Sequence, residues 1–279
     1  MAATVHHAPQ TLGPIHPAKV EKSAVKPSIA RKITIRVVDP LDHDAPAILH
    51  EPRSYNATQA NGSAVVLISG AGGGVSGPAG IYPSLADKFA LVLAIPCIRL
   101  DYREPARKEY CTADVIAAFD YLKEYFNSTK FVVVGWSFGG SPCFAVAARE
   151  PERCRGVATV ASQTAGTEGI RKLSPRPLLL LHGTNDTCLS PACSETLYNE
   201  YGTQGPRELK LFEGDDHGLS RNAVEAEKMI FMFVARTLGL EKALDEESAE
   251  TVGQDLAGSK SERVEEMKAG RDLEGGERL

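Results

Sequence analysis

Between about residue 30 and residue 240 the chain alternates between two hydrophobic patterns. One is the short continuous apolar run: "ITIRVV" (33–38), "AILH" (47–50), "AVVLIS" (64–69), "LVLAIP" (91–96), "FVVVGW" (131–136), "GVATVA" (156–161), "PLLLLH" (177–182) and "ELKLF" (208–212). Runs rich in β-branched residues and leucine suit strands buried on both faces, as in a parallel sheet. The other pattern is helical. Val115, Phe119, Leu122 and Phe126 recur at steps of three and four in 113–126, and Ala226, Ile230, Phe233, Val234 and Leu238 do so in 222–238. This alternation predicts an α/β fold: a doubly wound, mostly parallel sheet with helices on both faces and right-handed crossovers. In such sheets the chemistry sits at the carboxyl ends of the strands.

The two ends lack this pattern. Residues 1–30 contain Pro9, Pro14, Pro17 and Pro27 and no apolar period, and are expected to form an extended arm. Residues 241–279 are charged, contain no aromatic side chain, and are expected to be a flexible tail or solvated helix. The domain is therefore placed at 31–240. Of the 36 acidic and 31 basic residues, twelve and six lie in the tail, leaving a nearly neutral body with 24 acids and 25 bases. Neither part has the concentrated basic character that nucleic-acid binding needs. No apolar run reaches membrane-spanning length, and the N-terminus has no basic start followed by an apolar core, which argues against a secretory signal. The six cysteines form neither a CxxC pair nor a Cys/His zinc spacing. They are expected to be reduced and mostly buried, in a cytoplasmic protein, with no metal and no cofactor.

Candidate chemistry enters at the end of the run 131–136. Gly135-Trp136-Ser137-Phe138-Gly139 is a G-x-S-x-G pattern following a strand and preceding a helix. A sharp strand-to-helix turn strains the serine and lifts its hydroxyl above the sheet, and the flanking glycines give the turn room. An idle serine in a glycine-rich turn is the bland alternative, which the strand before and the helix after disfavour. A serine nucleophile needs a base, and the base needs an acid to orient it. Of seven histidines, His217 in "EGDDHGLS" lies between the last strand and the last helix. Asp186 in "LLLLHGTNDTCLSP" lies just past another strand end. The order Ser137, Asp186, His217 is the one expected of this architecture. Asp215 and Asp216 are rival acids on the same tight loop as His217, and His182 reads as a structural residue closing its strand. The transition state also needs oxyanion donors. The backbone N–H of Phe138 is one candidate, and Ala71, with Gly72 as its competitor, is the other, in the glycine-rich loop "SGAGGGVSGP" (69–78). Trp136 is offered as an apolar pocket lining, with packing beside the turn as its other reading.

These residues resemble the α/β-hydrolase superfamily over about 30–240, in the style of compact dienelactone-hydrolase-like serine esterases. The resemblance implies a serine hydrolase that cleaves a carboxylic ester, thioester or lactone through an acyl-enzyme: Ser137 as nucleophile, His217 as general base, Asp186 as its orienter. It implies a small-molecule acyl substrate and leaves room for a homodimer. The sequence departs from many relatives in opening the oxyanion loop with Ser69-Gly70 in place of His-Gly. About fifteen residues join "GVATVA" to "PLLLLH", where larger relatives insert a lid, so little or no cap domain is expected. Peptide or C–C bond hydrolysis, cyclisation in a biosynthetic pathway, and a non-catalytic hydrolase-like binding protein are the alternatives. The last fits an intact Ser/Asp/His set least well.

Overall fold

The computed structural model describes residues 10–11, 28–39, 42–104 and 106–256. Among these residues a nine-stranded sheet runs in the order β1-β2-β3-β5-β4-β6-β7-β8-β9. It comprises β1 (Gln10–Thr11), β2 (Ile29–Val37), β3 (His43–Glu51), β4 (Ser63–Ile68), β5 (Cys97–Leu100), β6 (Lys130–Trp136), β7 (Cys154–Val160), β8 (Leu178–Gly183) and β9 (Arg207–Phe212). From β5 across to β9 every pairing is parallel, and β1, β2 and β3 form an antiparallel edge. The helices are α1 (Ala57–Ala60), α2 (Tyr82–Val92), α3 (Lys108–Phe126), α4 (Gly140–Arg149), α5 (Ala192–Glu200), α6 (Ala223–Leu238) and α7 (Glu246–Val252).

β6 shows why the apolar run is continuous. Side chains of a strand alternate between faces. Phe131 and Val133 join α3 and α4 on one side, where the Phe119 ring stacks on Phe131 at 4.0 Å. Val132 and Val134 join α2 and α6 on the other, where Phe89 stacks on Phe231 at 5.6 Å. A strand covered on both faces can spare no polar position.

One expected strand is displaced. The run 91–96 is not a strand: α2 extends to Val92, and β5 begins only at Cys97. Leu85, Phe89 and Leu93 lie four residues apart and are all buried, so the run opens on the last turn of an inward-facing helix. Pro96, lacking an N–H, then holds the chain out of regular structure until the strand begins.

The packed body also passes residue 240. Val252 of α7 and Leu256 are buried, and the Leu256 N–H donates to Ser84 Oγ on α2 at 3.0 Å. The expectations for most of the arm (1–9 and 12–27) and for the rest of the tail (257–279) lie outside the described residues.

α2 carries polar side chains into the interior. Lys88 Nζ meets Glu227 Oε1 of α6 at 2.7 Å, with both side chains shielded from water. On the same helix Asp87 Oδ1 accepts from His50 Nδ1 at 2.8 Å and from the Ser28 hydroxyl, while Arg99 Nε donates to His50 Nε2 at 3.0 Å. Since Nε2 accepts from arginine, the ring proton sits on Nδ1.

Candidate active site

Trp136 ends β6 in extended conformation (φ −112°, ψ 136°), and Ser137 turns into the left-handed region at φ 55°. A non-glycine residue there is strained, and surrounding structure must hold it. Two glycines allow the turn. A Cβ on Gly135 would lie 2.5 Å from the Gly139 carbonyl oxygen and 2.7 Å from Cys143 Sγ. A Cβ on Gly139 would lie 2.6 Å from the Ser69 carbonyl oxygen and 2.9 Å from that of Ile68. The second contact presses the serine turn against the end of β4, where the glycine-rich loop begins.

Asp186 lies three residues beyond β8, its carboxylate fully buried. Oδ1 accepts from the backbone N–H groups of Cys188 (2.8 Å) and Leu189 (2.9 Å). Oδ2 accepts from His217 Nδ1 at 2.7 Å and from His182 Nε2 at 3.0 Å. Burial alone would raise this carboxyl's pKa. The hydrogen bonds from His182, His217 and Leu189, with the nearby charge of His217, outweigh it and hold the group well below the usual carboxylate range. His182 Nδ1 in turn is 2.7 Å from Ser194 Oγ, and its Nε2 also reaches the Leu189 carbonyl at 3.0 Å. The sequence reading of His182 as a strand-closing residue thus misses its contact with Asp186. A spacing of four residues carries no signal outside a helix.

The His217 loop is built by the two rival acids. Asp215 accepts from the backbone N–H groups of Asp216, Arg221 and Asn222 and from the Asn222 amide, all at 2.8–3.0 Å. Its pKa lies below the ordinary value because these bonds overcome the effect of burial. Asp216 Oδ1 accepts from Gly218 N–H at 3.1 Å and Ser220 N–H at 2.9 Å. Both carboxylates fold the loop, while Asp186 reaches the ring.

Trp136, offered by the sequence as a pocket lining, is only 2% exposed. Its indole N–H donates to the His217 carbonyl at 3.0 Å, and the two rings lie 5.6 Å apart. It anchors the histidine loop from beneath because it ends a strand covered on both faces. The Phe138 ring is also buried, edge-on to Tyr102 at 6.1 Å, so neither aromatic of the motif presents an open apolar surface.

In the loop after β4, Ala71 and Gly72 form an exposed tip. The segment behind it is tied down. Gly74 N–H donates to Asp101 Oδ1 at 2.7 Å, and Arg99 Nη1 donates to the Val75 carbonyl at 3.2 Å. These ties, from residues just inside and just past β5, have no counterpart in the sequence pattern. The link 162–176 stays against the body: its 3₁₀ turn, Glu168–Lys172, buries Ile170 with the α4 cluster, as does the following Leu173.

Among the described residues, one group of three side chains could hold a metal ion: ligand atoms of Asp186, Cys188 and His217 all lie within 4.8 Å of one another. All six cysteines are free; Cys97, Cys111, Cys143 and Cys154 are buried and Cys188 is exposed. No helix among the described residues is long and apolar enough to cross a membrane.

The family model described as alpha/beta hydrolase fold matches residues 63–187, from β4 to just past Asp186. No curated protein matches the sequence. Solved structures are similar in fold at low identity. Est1E from Butyrivibrio proteoclasticus is 15% identical with a TM-score of 0.62, over 75% of this chain and 99% of that one. An esterase of Pyrococcus furiosus is 14% identical with a TM-score of 0.60, over 77% and 92%. A dienelactone hydrolase from Anabaena variabilis is 16% identical with a TM-score of 0.59, over 74% and 98%.

Proposed function

The chain has the α/β-hydrolase fold, and from that premise we propose that it is a serine hydrolase cleaving a carboxylic ester, thioester or lactone of a small-molecule acyl substrate. The observation that carries the reading is the 2.7 Å contact of His217 Nδ1 with a buried, ionised Asp186, in a chain whose only left-handed residue at the end of β6 is Ser137. The esterases and the dienelactone hydrolase among the structural neighbours agree with it.

Asp186 accepts the Nδ1 proton of His217 and so keeps Nε2 as the lone-pair nitrogen. His217 Nε2 takes the Ser137 proton as Oγ attacks the substrate carbonyl. The carbonyl oxygen gains negative charge, and the backbone N–H groups of Phe138 and of Ala71 or Gly72 receive it. The tetrahedral intermediate collapses, and His217 hands its proton to the departing alcohol, thiol or lactone oxygen. Water then repeats the sequence on the acyl-enzyme and regenerates Ser137. Asp101 and Arg99 hold the donor loop, Trp136 holds the histidine loop, and His182 holds Asp186. Residues 31–240 make up the catalytic domain, with 241–256 packed on it, and the free cysteines suit a reducing compartment such as the cytoplasm.

The test is a series of p-nitrophenyl esters of increasing acyl length, with fluorophosphonate labelling of wild type and Ser137→Ala. Wild type is expected to hydrolyse at least one ester and to be labelled at Ser137, and the variant to do neither. Absence of both labelling and hydrolysis in wild type would remove the reading.

A further inference from the structure

The loop after β8 carries, two residues past the buried carboxylate, a thiol that the proposed reaction does not use. The Cys188 N–H donates to Asp186 Oδ1 at 2.8 Å, which folds the loop back over the carboxylate. The Cys188 residue is exposed, and its sulfur, an Asp186 oxygen and a His217 nitrogen lie within 4.8 Å of one another. We propose that Asp186, Cys188 and His217 form an inhibitory site for a thiophilic divalent cation, zinc being the best fit.

Thiolate, imidazole and carboxylate are ligands that zinc accepts together, with water completing a tetrahedron. Zinc bonds of about 2.0–2.3 Å place neighbouring ligand atoms about 3.3–3.8 Å apart, so the thiol, within 4.8 Å of the other two ligand atoms, closes in by at most about 1.5 Å while the 2.7 Å Asp186–His217 pair opens by about 1 Å. His217 has side-chain exposure of 19%, so solvent, and an ion in it, reaches the ring. Coordination displaces one proton, from the Cys188 thiol, to solvent. The cation takes the Nδ1 lone pair, and the ring proton moves from Nδ1 to Nε2 without further release. His217 Nε2 is then a donor and can no longer accept the Ser137 proton. The 2.7 Å bond to Asp186 is replaced by the metal. The site therefore competes with the base for the same atoms.

The inhibitory half of this inference rests on the proposed roles of His217 and Asp186, and the binding half does not. The full-length chain is titrated with cobalt(II) as a spectroscopic stand-in for zinc. Wild type is expected to show thiolate-to-cobalt charge-transfer absorption at one ion per chain, Cys193→Ala to retain it, and Cys188→Ala to lose it. This readout stands even if no ester is cleaved. In an ester assay, Cys188→Ala is expected to match wild type without metal. It should need at least about tenfold more zinc for half-inhibition, the loss that removing even an outer-shell partner causes. No thiolate–cobalt absorption in wild type, equal absorption in Cys188→Ala, or unchanged zinc sensitivity in that variant would overturn the proposal.

Discussion

Two of the Ser/His/Asp sets among the described residues are opposites. In one, Ser28, His50 and Asp87 lie within a few ångströms of one another beneath α2, each almost fully buried. In the other, Asp186 and His217 meet at 2.7 Å at the carboxyl edge of the sheet, in the strand-end neighbourhood to which Ser137 also belongs. The buried group has the right residue types but the wrong hydrogen bonds. Its serine donates to the aspartate, and its imidazole spends Nδ1 on Asp87 and Nε2 on Arg99. No lone pair is left to accept a proton. At the sheet edge the aspartate occupies only Nδ1 of His217, and the serine is set apart on a strained turn. The difference between a structural network and a candidate catalytic one is thus a ring nitrogen with no hydrogen-bond partner among the described residues, and three residue types near one another do not establish it.

Breaking one group should spare the property that the other supports. The largest effect is expected from Ser137→Ala, with kcat falling on the order of 10⁶-fold, while Ser28→Ala leaves kcat/KM within about twofold; ester kinetics on both variants check this. Next, Asp186→Asn should lower kcat by about 10⁴-fold through the wrong imidazole tautomer, measured with the same ester.

The converse variant is His50→Ala. It removes the donor to a buried carboxylate and the acceptor for the Arg99 Nε–H, and should cost about 3–5 kcal/mol in urea unfolding. Its kcat should stay close to wild type at a temperature where it is folded. A catalytic loss as large as that of His217→Ala would erase the distinction between the two groups.

Acid provides a further separation. Asp186 has a folded-state pKa held below its unfolded one, so its ionised form contributes stability above the unfolded carboxyl value, about 4, and that contribution is lost as pH falls below it. Wild type should therefore exceed Asp186→Asn in stability at pH 7, and the gap should narrow steadily in melts taken below about pH 4.

The smallest effect is expected from Trp136→Phe, which keeps an aromatic ring but removes the N–H bond to the His217 carbonyl. It should cost about 0.5–1.5 kcal/mol of stability and lower kcat more than it raises KM, because the histidine loop loosens while the substrate contacts persist.

The elements that could be read from the chain were those whose cause is local. Ser137 was visible because a strand, two glycines and a helix surround it within a dozen residues, and Asp186 because it follows a run of four leucines. The bonds that support the site join distant parts of the sequence: Trp136 to His217 across 81 residues, Gly74 to Asp101 across 27. No periodicity records such contacts. The run 91–96 reads as a strand because a buried helix end and a buried strand are equally apolar over six residues. The packing of Leu256 on Ser84 leaves no trace in the sequence because the few apolar side chains of this charged segment, Leu244, Val252 and Leu256, set up no pattern.

Trp136 is the only tryptophan in the chain. Its ring lies 5.6 Å from that of His217, so all of the protein's indole emission originates beside the proposed base. An imidazolium quenches a neighbouring indole more strongly than an imidazole does. Protonation of His217, capture of a cation there, or displacement of its loop should each register in the ultraviolet fluorescence of the unlabelled protein. The molecule carries a built-in optical reporter, one residue before Ser137.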